Sequence, residues 1–551
     1  MLKQFAVGAR SSRLSLLQAQ HAIKTLQALL PHVGFDLRPF ESPGDRDRAL
    51  DLRQSPRDFF TRDLDDAIID GPLEMAIHSA KDLTLPVREG LDWFWLRDGE
   101  DPRDVVVLRE GESLESLPSE AVVGVSSDRR AEYAAGVFPD AKQKPIRGNV
   151  ERRVELLDNG EFDIVITAAA ALHRLSLSHR ISCYIPLTEL ETPEGQGTLA
   201  VTFRRGNAEM GLIRQLLVPA VAFVGAGAGD AELCTVRGEQ ALRAAEVCLY
   251  DALIDKRLLE WLPQGARAVS VGKRWNRHSI SQDELNDILV DEARRGRRVI
   301  RLKGGDPGIF GRLSEELDAL DDYRLPYRMV PGLSSLQIGT TGTGLLLTQR
   351  GSSRGFSVVT PRQQGGGMAD IRAEARGSLP LVFFMAAGAM EAVSTQLIED
   401  GRDPEEPAAV VYNAGIPEER ILRGTLGDIA SRIADQPDEK RGPGLVIVGS
   451  GDWRPSSVGP LAGKRILITA SQALQGRAAE SVWRYAGRPV PLPLVEPVLV
   501  SGTKDVLKDI QEFDWLILSS PSAVKLLIAC MRREAIDLRR LPSVLVAGPG
   551  T

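Results

Sequence analysis

RRVIRLKGGDPGIFGR, residues 297–312, reads as a buried strand running into a loop bare of side chains at Gly304 and Gly305, followed by one carboxylate, Asp306, and a proline. An apolar run of strand length closed by Gly and Pro marks a strand covered on both faces, as in a parallel sheet. The stretch VAFVGAGAGDAELCT, residues 221–235, repeats the plan: a strand, a turn carrying Gly225, Gly227 and Gly229, then a helix. It imitates a dinucleotide fingerprint, and Asp251 follows the next strand, but Asp230 stands where the third glycine belongs. A carboxylate there repels a pyrophosphate, which argues against a nicotinamide or flavin site. Asp230 is expected to cap the following helix instead. The GGDP loop suits a ligand that offers hydroxyl and amine donors, because Asp accepts hydrogen bonds and repels phosphate.

Outward from these stretches, apolar runs of strand length alternate with amphipathic helical stretches along the whole chain, including QFAVGA, EMAIHS, DIVITAAA, PLVFFMA, GLVIVGS, KRILITA and DWLILSS. The pattern predicts a multidomain α/β protein with largely parallel sheets. At 551 residues the chain is too long for one core. Breaks near Leu217–Ala220 and in the Gly-, Ser- and Pro-rich stretch 449–463 divide it into modules 1–217, 218–452 and 461–551, with a linker at 453–460. QQGGGM at 363–368 reads as a loop.

A formal charge of −7 gives no global attraction to nucleic acid or anionic membrane, so neither is expected as a partner. Four cysteines without a CxxC pair, and six histidines without HExxH spacing, predict neither disulfides nor a metal site. No stretch approaches the roughly 20 apolar residues of a membrane helix, and the start lacks a signal-peptide core, so the expected location is the cytoplasm.

In residues 1–217 arginines stand just beyond strand ends: Arg10 after FAVGA, Arg129 and Arg130 after VVGVSS, and Arg147 in PIRGNV, with Arg153 further along a helix. Strand ends of an open α/β sheet are where ligands bind, and guanidinium forks match carboxylates, so a polycarboxylate ligand is predicted. Asp82, beside Lys81 in IHSAKDL, is an acid among arginines, held ionised and suited to stabilising cationic charge.

GARSSRLSLLQAQ, HSAKDL, EDPRDVVV, VGVSSDRR, IRGNVERRVELLDNGEFD and GQGTLAV resemble hydroxymethylbilane synthase, also called porphobilinogen deaminase, over about 200 residues. The resemblance implies two lobes like those of periplasmic binding proteins, with Asp82 as the catalytic acid. It implies that Arg10, Arg129, Arg130, Arg147 and Arg153, helped by Ser126 and Ser127, clamp the acidic side chains of a growing linear tetrapyrrole. The family continues into a third domain whose cysteine carries a dipyrromethane primer. Here RQLL at Leu217 leads straight into a new module, and Cys183 in RISCYIP does not match the attachment motif. Dipyrromethane is therefore not expected, and the module is read as an impaired deaminase or, alternatively, as a non-catalytic scaffold that holds linear tetrapyrroles. SPRDFF around Arg57 replaces a glycine and lysine loop of the family.

VGAGAGD, LYDALI, VGKRWNRHS, RLKGGDPGIFGR, VPGLSS, LVFFMA, YNAG and GTLGDIA resemble uroporphyrinogen-III C-methyltransferase across about residues 220–450. The resemblance implies the class III methyltransferase fold and methylation of uroporphyrinogen III to precorrin-2, on the way to sirohaem or cobalamin. It implies that Gly304, Gly305, Asp306, Ile309, Ser334, Ser335, Met385 and Ala414 bind S-adenosylmethionine. Arg312 takes the place of the proposed catalytic arginine, Glu315 and Arg350 face the tetrapyrrole, and a homodimer is implied. The sequence departs from the family at Ala228, Gly308, Leu313–Ser314, Gln349 and Pro361–Arg362, around the expected substrate cleft.

GKRILITA, GRPVPLPLVEPV, DWLILSSPSAVKLL and VLVAGPGT resemble the opening of uroporphyrinogen-III synthase, which implies a partial flavodoxin-like module. Ser519, Ser520 and Thr551 are its candidate substrate contacts. The chain stops at Thr551, short of that fold's return to its first lobe, so exposed strands are expected there and the sequence is read as a possible fragment.

Overall fold

The computed structural model describes residues 3–41, 61–272, 280–351, 353–363, 367–437, 442–495, 498–500 and 502–548. Arg57, Thr551 and part of VGKRWNRHS and of QQGGGM lie outside the described residues. The chain forms two compact units, Met1–Ser334 and Ser335–Thr551, and the expected junction at 217/218 falls inside the first.

The first unit begins with a pair of mixed five-stranded sheets. One contains β1 (Lys3–Arg10), β2 (Val33–Phe40), β3 (Met75–Ser79) and β4 (Leu91–Trp95). The chain then crosses to a second lobe built from β5 (Asp104–Leu108), β6 (Val122–Val125), β7 (Lys142–Pro145), β8 (Ile164–Ala168) and β9 (Ile181–Tyr184), and returns as β10 (Leu199–Arg204). The strand orders are β2-β1-β3-β10-β4 and β7-β6-β8-β5-β9. The two crossings explain why these sheets are not parallel throughout, as the sequence suggested. The returning β10 pairs antiparallel with β3 and β4, and β5 pairs antiparallel with β8 and β9.

The third sheet of this unit is fully parallel: β11 (Val221–Gly225), β12 (Val247–Tyr250), β13 (Arg267–Ser270), β14 (Val299–Lys303) and β15 (Tyr327–Val330), in the order β13-β12-β14-β11-β15. The chain runs from β11 outward to β13, then returns to insert β14 beside β11. That reversal lies at the carboxyl ends of β11 and β14, the place where open α/β sheets bind ligands. One hydrophobic core joins this sheet to the first: Phe5, Val7, Ile77, Phe94 and Phe203 are continuous with Val221, Phe223, Leu249, Leu289 and Val299.

In the second unit β16 (Ser357–Val359), β17 (Leu381–Phe384), β18 (Pro407–Tyr412), β19 (Arg420–Thr425) and β20 (Gly444–Val448) form a sheet in the order β16-β17-β20-β18-β19. Only β16 and β17 pair parallel in it, a further departure from the largely parallel expectation. Beyond it, β21 (Arg465–Ile468) pairs with β22 (Arg488–Pro491), and β23 (Trp515–Leu518) with β24 (Ser543–Val546). Leu467, Trp515, Ile517, Val544 and Leu545 on these strands are exposed. Two-stranded sheets bury too little apolar surface to be stable alone.

Candidate functional site

At the carboxyl ends of β11, β14 and β15 three glycine-bearing loops meet. Gly227 and Gly305 exchange backbone hydrogen bonds at 3.3 and 2.9 Å, and a Cβ on Gly225 would sit 2.7 Å from the Gly305 carbonyl oxygen. A Cβ on Gly332 would overlap the same oxygen, so the close approach requires glycine at both positions. Asp306 ties the loops together: its Oδ1 accepts the Gly308 N–H at 2.8 Å and its Oδ2 the Gly332 N–H at 3.1 Å. Each oxygen keeps a lone pair for a donor on a ligand. Asp230 caps the short turn Ala231–Leu233, accepting from the Glu232 N–H, as the sequence suggested.

Behind the cradle lies an ion network that the sequence reading missed. Arg301 and Lys303, both buried on one face of β14, converge on buried Glu316. Arg301 Nη2 also meets Asp251 Oδ1 at 2.7 Å, and Asp251 Oδ2 accepts the Gly304 N–H at 3.1 Å. Burial, then the neighbouring Arg301, lowers the Lys303 pKa, partly offset by Glu316. The alternation Arg-x-Lys in a strand otherwise apolar was the available signal, since two cations buried on one strand face need a shared carboxylate.

Ile309, half-buried, follows Asp306. Phe310 and Arg312 both adopt left-handed backbone, each at φ 53°, and Gly311 lies between them where a Cβ would stand 2.5 Å from the Pro307 carbonyl oxygen. Left-handed non-glycine residues cost energy and cluster at functional sites. The Arg312 guanidinium forks onto Glu315 at 2.8 and 2.5 Å, so these two predicted residues meet each other. The pairing raises the Arg312 pKa and holds Glu315 below the usual carboxylate range. Ser334, buried, ends the first unit.

In the second unit Ser335 opens the helix Ser335–Gly339. Met385 follows β17 in left-handed backbone (φ 55°), and its carbonyl accepts from Arg362 Nε at 3.3 Å. Ala414, after β18, packs with Leu445 and Ile447. Arg350 is exposed in a turn closed by paired bonds between Gln349 and Ser353.

Of the predicted arginines, Arg129, Arg130, Arg147 and Arg153 gather in the second lobe, and Arg10 stands apart from them at the end of β1. Arg130 Nη1 and Arg153 Nη1 each donate to Ser126 Oγ at 3.0 Å. Arg129 and Arg130 share Asp104, fully buried, at 2.5 and 2.7 Å. Burial, then Arg130 and Arg147, lowers the Arg153 pKa to about 10. Guanidinium groups gathered on Ser126 in this way suit an anion. Ser127 caps the helix Asp128–Val137 and has a structural role there. Arg10 ends β1 and is close enough to His78 to lower its pKa, after burial. Asp82 closes a single turn, Ala80–Asp82, and is exposed. Lys81 Nζ donates to Gln196 Oε1 at 3.1 Å, and Gln196 donates to Asp104 at 3.0 Å. Asp104 and Gln196 lie inside quoted motifs, but their roles depend on contacts far along the chain. Cys183 sits on β9, where burial raises its thiol pKa.

Among the described residues no helix is long and apolar enough to cross a membrane, and no group of ligand side chains gathers as for a metal ion.

Residues 5–211 match the family described as porphobilinogen deaminase, dipyromethane cofactor binding domain, and residues 220–430 match tetrapyrrole (corrin/porphyrin) methylases. The chain is 30% identical to a porphyrin biosynthesis protein HemD of Ruminiclostridium josui, over 60% of this chain and 67% of that one. It is 36% identical to a uroporphyrinogen-III C-methyltransferase of Methanocaldococcus jannaschii, over 42% of this chain and 95% of that one. Among solved structures it is similar to a uroporphyrin-III C-methyl transferase of Thermus thermophilus complexed with S-adenyl homocysteine, at 38% identity and a TM-score of 0.37, over 42% of this chain and 97% of that one.

Proposed function

The chain belongs to the uroporphyrinogen-III C-methyltransferase family, and on that premise we propose that residues 220–450 methylate uroporphyrinogen III to precorrin-2 with S-adenosylmethionine. The observation that carries this reading is the Asp306 carboxylate, fixed by the Gly308 and Gly332 N–H groups where the loops of Gly225, Gly305 and Gly332 pack together, because it stands beside the open backbone of Gly304 and offers a ligand an acceptor there. When bound, S-adenosylmethionine supplies a sulfonium methyl that an electron-rich pyrrole carbon can accept. Gly304, Gly305 and Asp306 hold the donors of its nucleoside and amino-acid parts, with Ile309 and Ser334 beside them; in the second unit Ser335, Met385 and Ala414 are nominated by the resemblance alone. Arg312 neutralises substrate carboxylate once Glu315 releases it, and Arg350 is a further candidate for that task. The chain's contribution is positioning and charge neutralisation. Incubation with S-adenosylmethionine and uroporphyrinogen III, followed by mass spectrometry, tests it: absence of added methyl groups refutes it.

A second reading concerns the arginine cleft of residues 1–217. The convergence of Arg130 and Arg153 on Ser126, with Arg147 near, favours binding of a polycarboxylate such as a linear tetrapyrrole. Without a primer anchor the cleft binds and does not elongate efficiently. Residues 461–551 are proposed as a synthase-like part, and homodimerisation is proposed for the methyltransferase.

A further inference from the structure

The segment Glu194–Gly197 touches two charge networks of the first unit at once. Glu194 accepts a hydrogen bond from Arg297 Nη2 at 2.6 Å and forms an ion pair with Arg295 Nε at 3.2 Å, both on the turn that leads from the helix Gln282–Arg294 into β14. Two residues on, buried Gln196 faces the arginine cleft. Its amide donates to Asp104 Oδ1 at 3.0 Å and the Pro102 carbonyl at 2.7 Å, and its Oε1 accepts from Lys81 at 3.1 Å.

The link between these residues has no slack. Gly195 is left-handed (φ 79°), and a Cβ there would lie 2.9 Å from Ala80 Cβ and 3.1 Å from the Lys81 nitrogen. Gly197 is left-handed too (φ 86°), pressed on the Glu100 carbonyl, and the Ala80 N–H donates to the Thr198 carbonyl at 2.9 Å. A shift of this loop therefore moves Lys81 and the partner that holds Asp104, and Asp104 orients Arg129 and Arg130. The basic run RRGRR, residues 294–298, acts as the clasp on the other side: Arg294 meets Asp92, Arg295 and Arg297 meet Glu194, and Arg298 meets Glu246.

We propose that Glu194 is a positioning residue for the arginine cleft: held by Arg295 and Arg297 of the methyltransferase segment, it keeps Gln196 against Lys81 and Asp104. The cleft's affinity for a polycarboxylate thus depends on arginines that belong to a different module. This rests on the reading that the cleft takes polycarboxylates.

The test is calorimetric titration of the full chain with benzenehexacarboxylate at low salt, the cleft's share being the binding lost in Arg153→Met. Glu194→Gln and the pair Arg295→Met/Arg297→Met should each weaken that share about 3–10-fold, the scale of a lost hydrogen bond. Combining them should weaken it no further, as for residues acting through one contact. Arg297 keeps Glu292 at 3.0 Å when Glu194 is neutralised, so the fold should survive, and the single change Arg297→Met serves if the pair does not fold. Arg243→Met, which disturbs only an exposed pair with Glu239, should leave binding unchanged. Unchanged affinity in folded Glu194→Gln, or losses that add, overturns the positioning role while leaving the cleft's ligand class intact. Absence of Arg153-dependent binding in the unaltered chain overturns both.

Discussion

Asp306 Oδ2 accepts the Gly332 N–H at 3.1 Å, so one carboxylate bridges the loops that leave β14 and β15. Through its other oxygen it also fixes Gly308. Asp306→Ala therefore removes both a ligand acceptor and the cradle's own tie. S-adenosylmethionine binding should weaken by about 1.5–3 kcal/mol, the range for bonds to a charged group. Calorimetry checks this, and an unchanged dissociation constant would mean that the carboxylate serves only the turn.

Arg312 and Glu315 form an exposed fork. Arg312→Ala should leave the cofactor's dissociation constant within about twofold and slow methylation at saturating substrate, as for an interaction made chiefly in the transition state. Glu315→Gln, which frees the guanidinium, should lower KM for uroporphyrinogen no more than about fivefold, because exposed pairs are weak. Steady-state kinetics with both substrates varied separates these outcomes.

The arginine cleft should bind preformed hydroxymethylbilane in a salt-sensitive way and convert little porphobilinogen. Tethering keeps a growing chain at high effective concentration, and without it intermediates dissociate between condensations. A bilane-formation assay beside intact mass decides: robust turnover, or a covalent pyrrole adduct on Cys183 or elsewhere, would restore a complete deaminase.

His78 is buried against Thr202 Oγ1 at 2.9 Å, and burial, with Arg10 adding to it, lowers its pKa from 6.5 to about 4. The unfolded chain takes up this proton below pH 6.5 while the folded chain refuses it until about pH 4, so stability falls as pH drops through that window and is fully present above it. At about 1.4 kcal/mol per pH unit the loss approaches roughly 3 kcal/mol. His78→Gln should flatten this part of the pH profile, measured by urea unfolding between the two values.

Asp92, buried, serves Arg214 at 2.8 Å and Arg294 at 2.7 Å, in the core shared by the first and third sheets. Asp92→Asn leaves two buried guanidiniums short of a counter-charge and should destabilise the first unit by about 3–5 kcal/mol. Replacing all three by Leu, Met and Met should cost far less, since buried ion pairs contribute little net stability. Thermal unfolding of the variants compares the two.

The local plan was legible in the residues: strands ending at Gly225 and Lys303, the cap at Asp230, and the arginines at strand ends all depend on neighbours within a few positions. Sequence periodicity reports burial but not strand direction, and so the two crossings between lobes, which turn β5 and β10 antiparallel, were not foreseen. Asp104, Gln196 and Glu316 escaped for a related reason. A buried carboxylate or amide looks ordinary in a motif, and its partners are chosen by packing; Gln196 and Asp104 are 92 positions apart. The sequence by itself determined which backbones can come close, because only glycine permits the approach of Gly305 and Gly332. The tertiary structure alone decided which charges meet there, because Coulomb and desolvation energies depend on distance and burial in space, and chain order specifies neither.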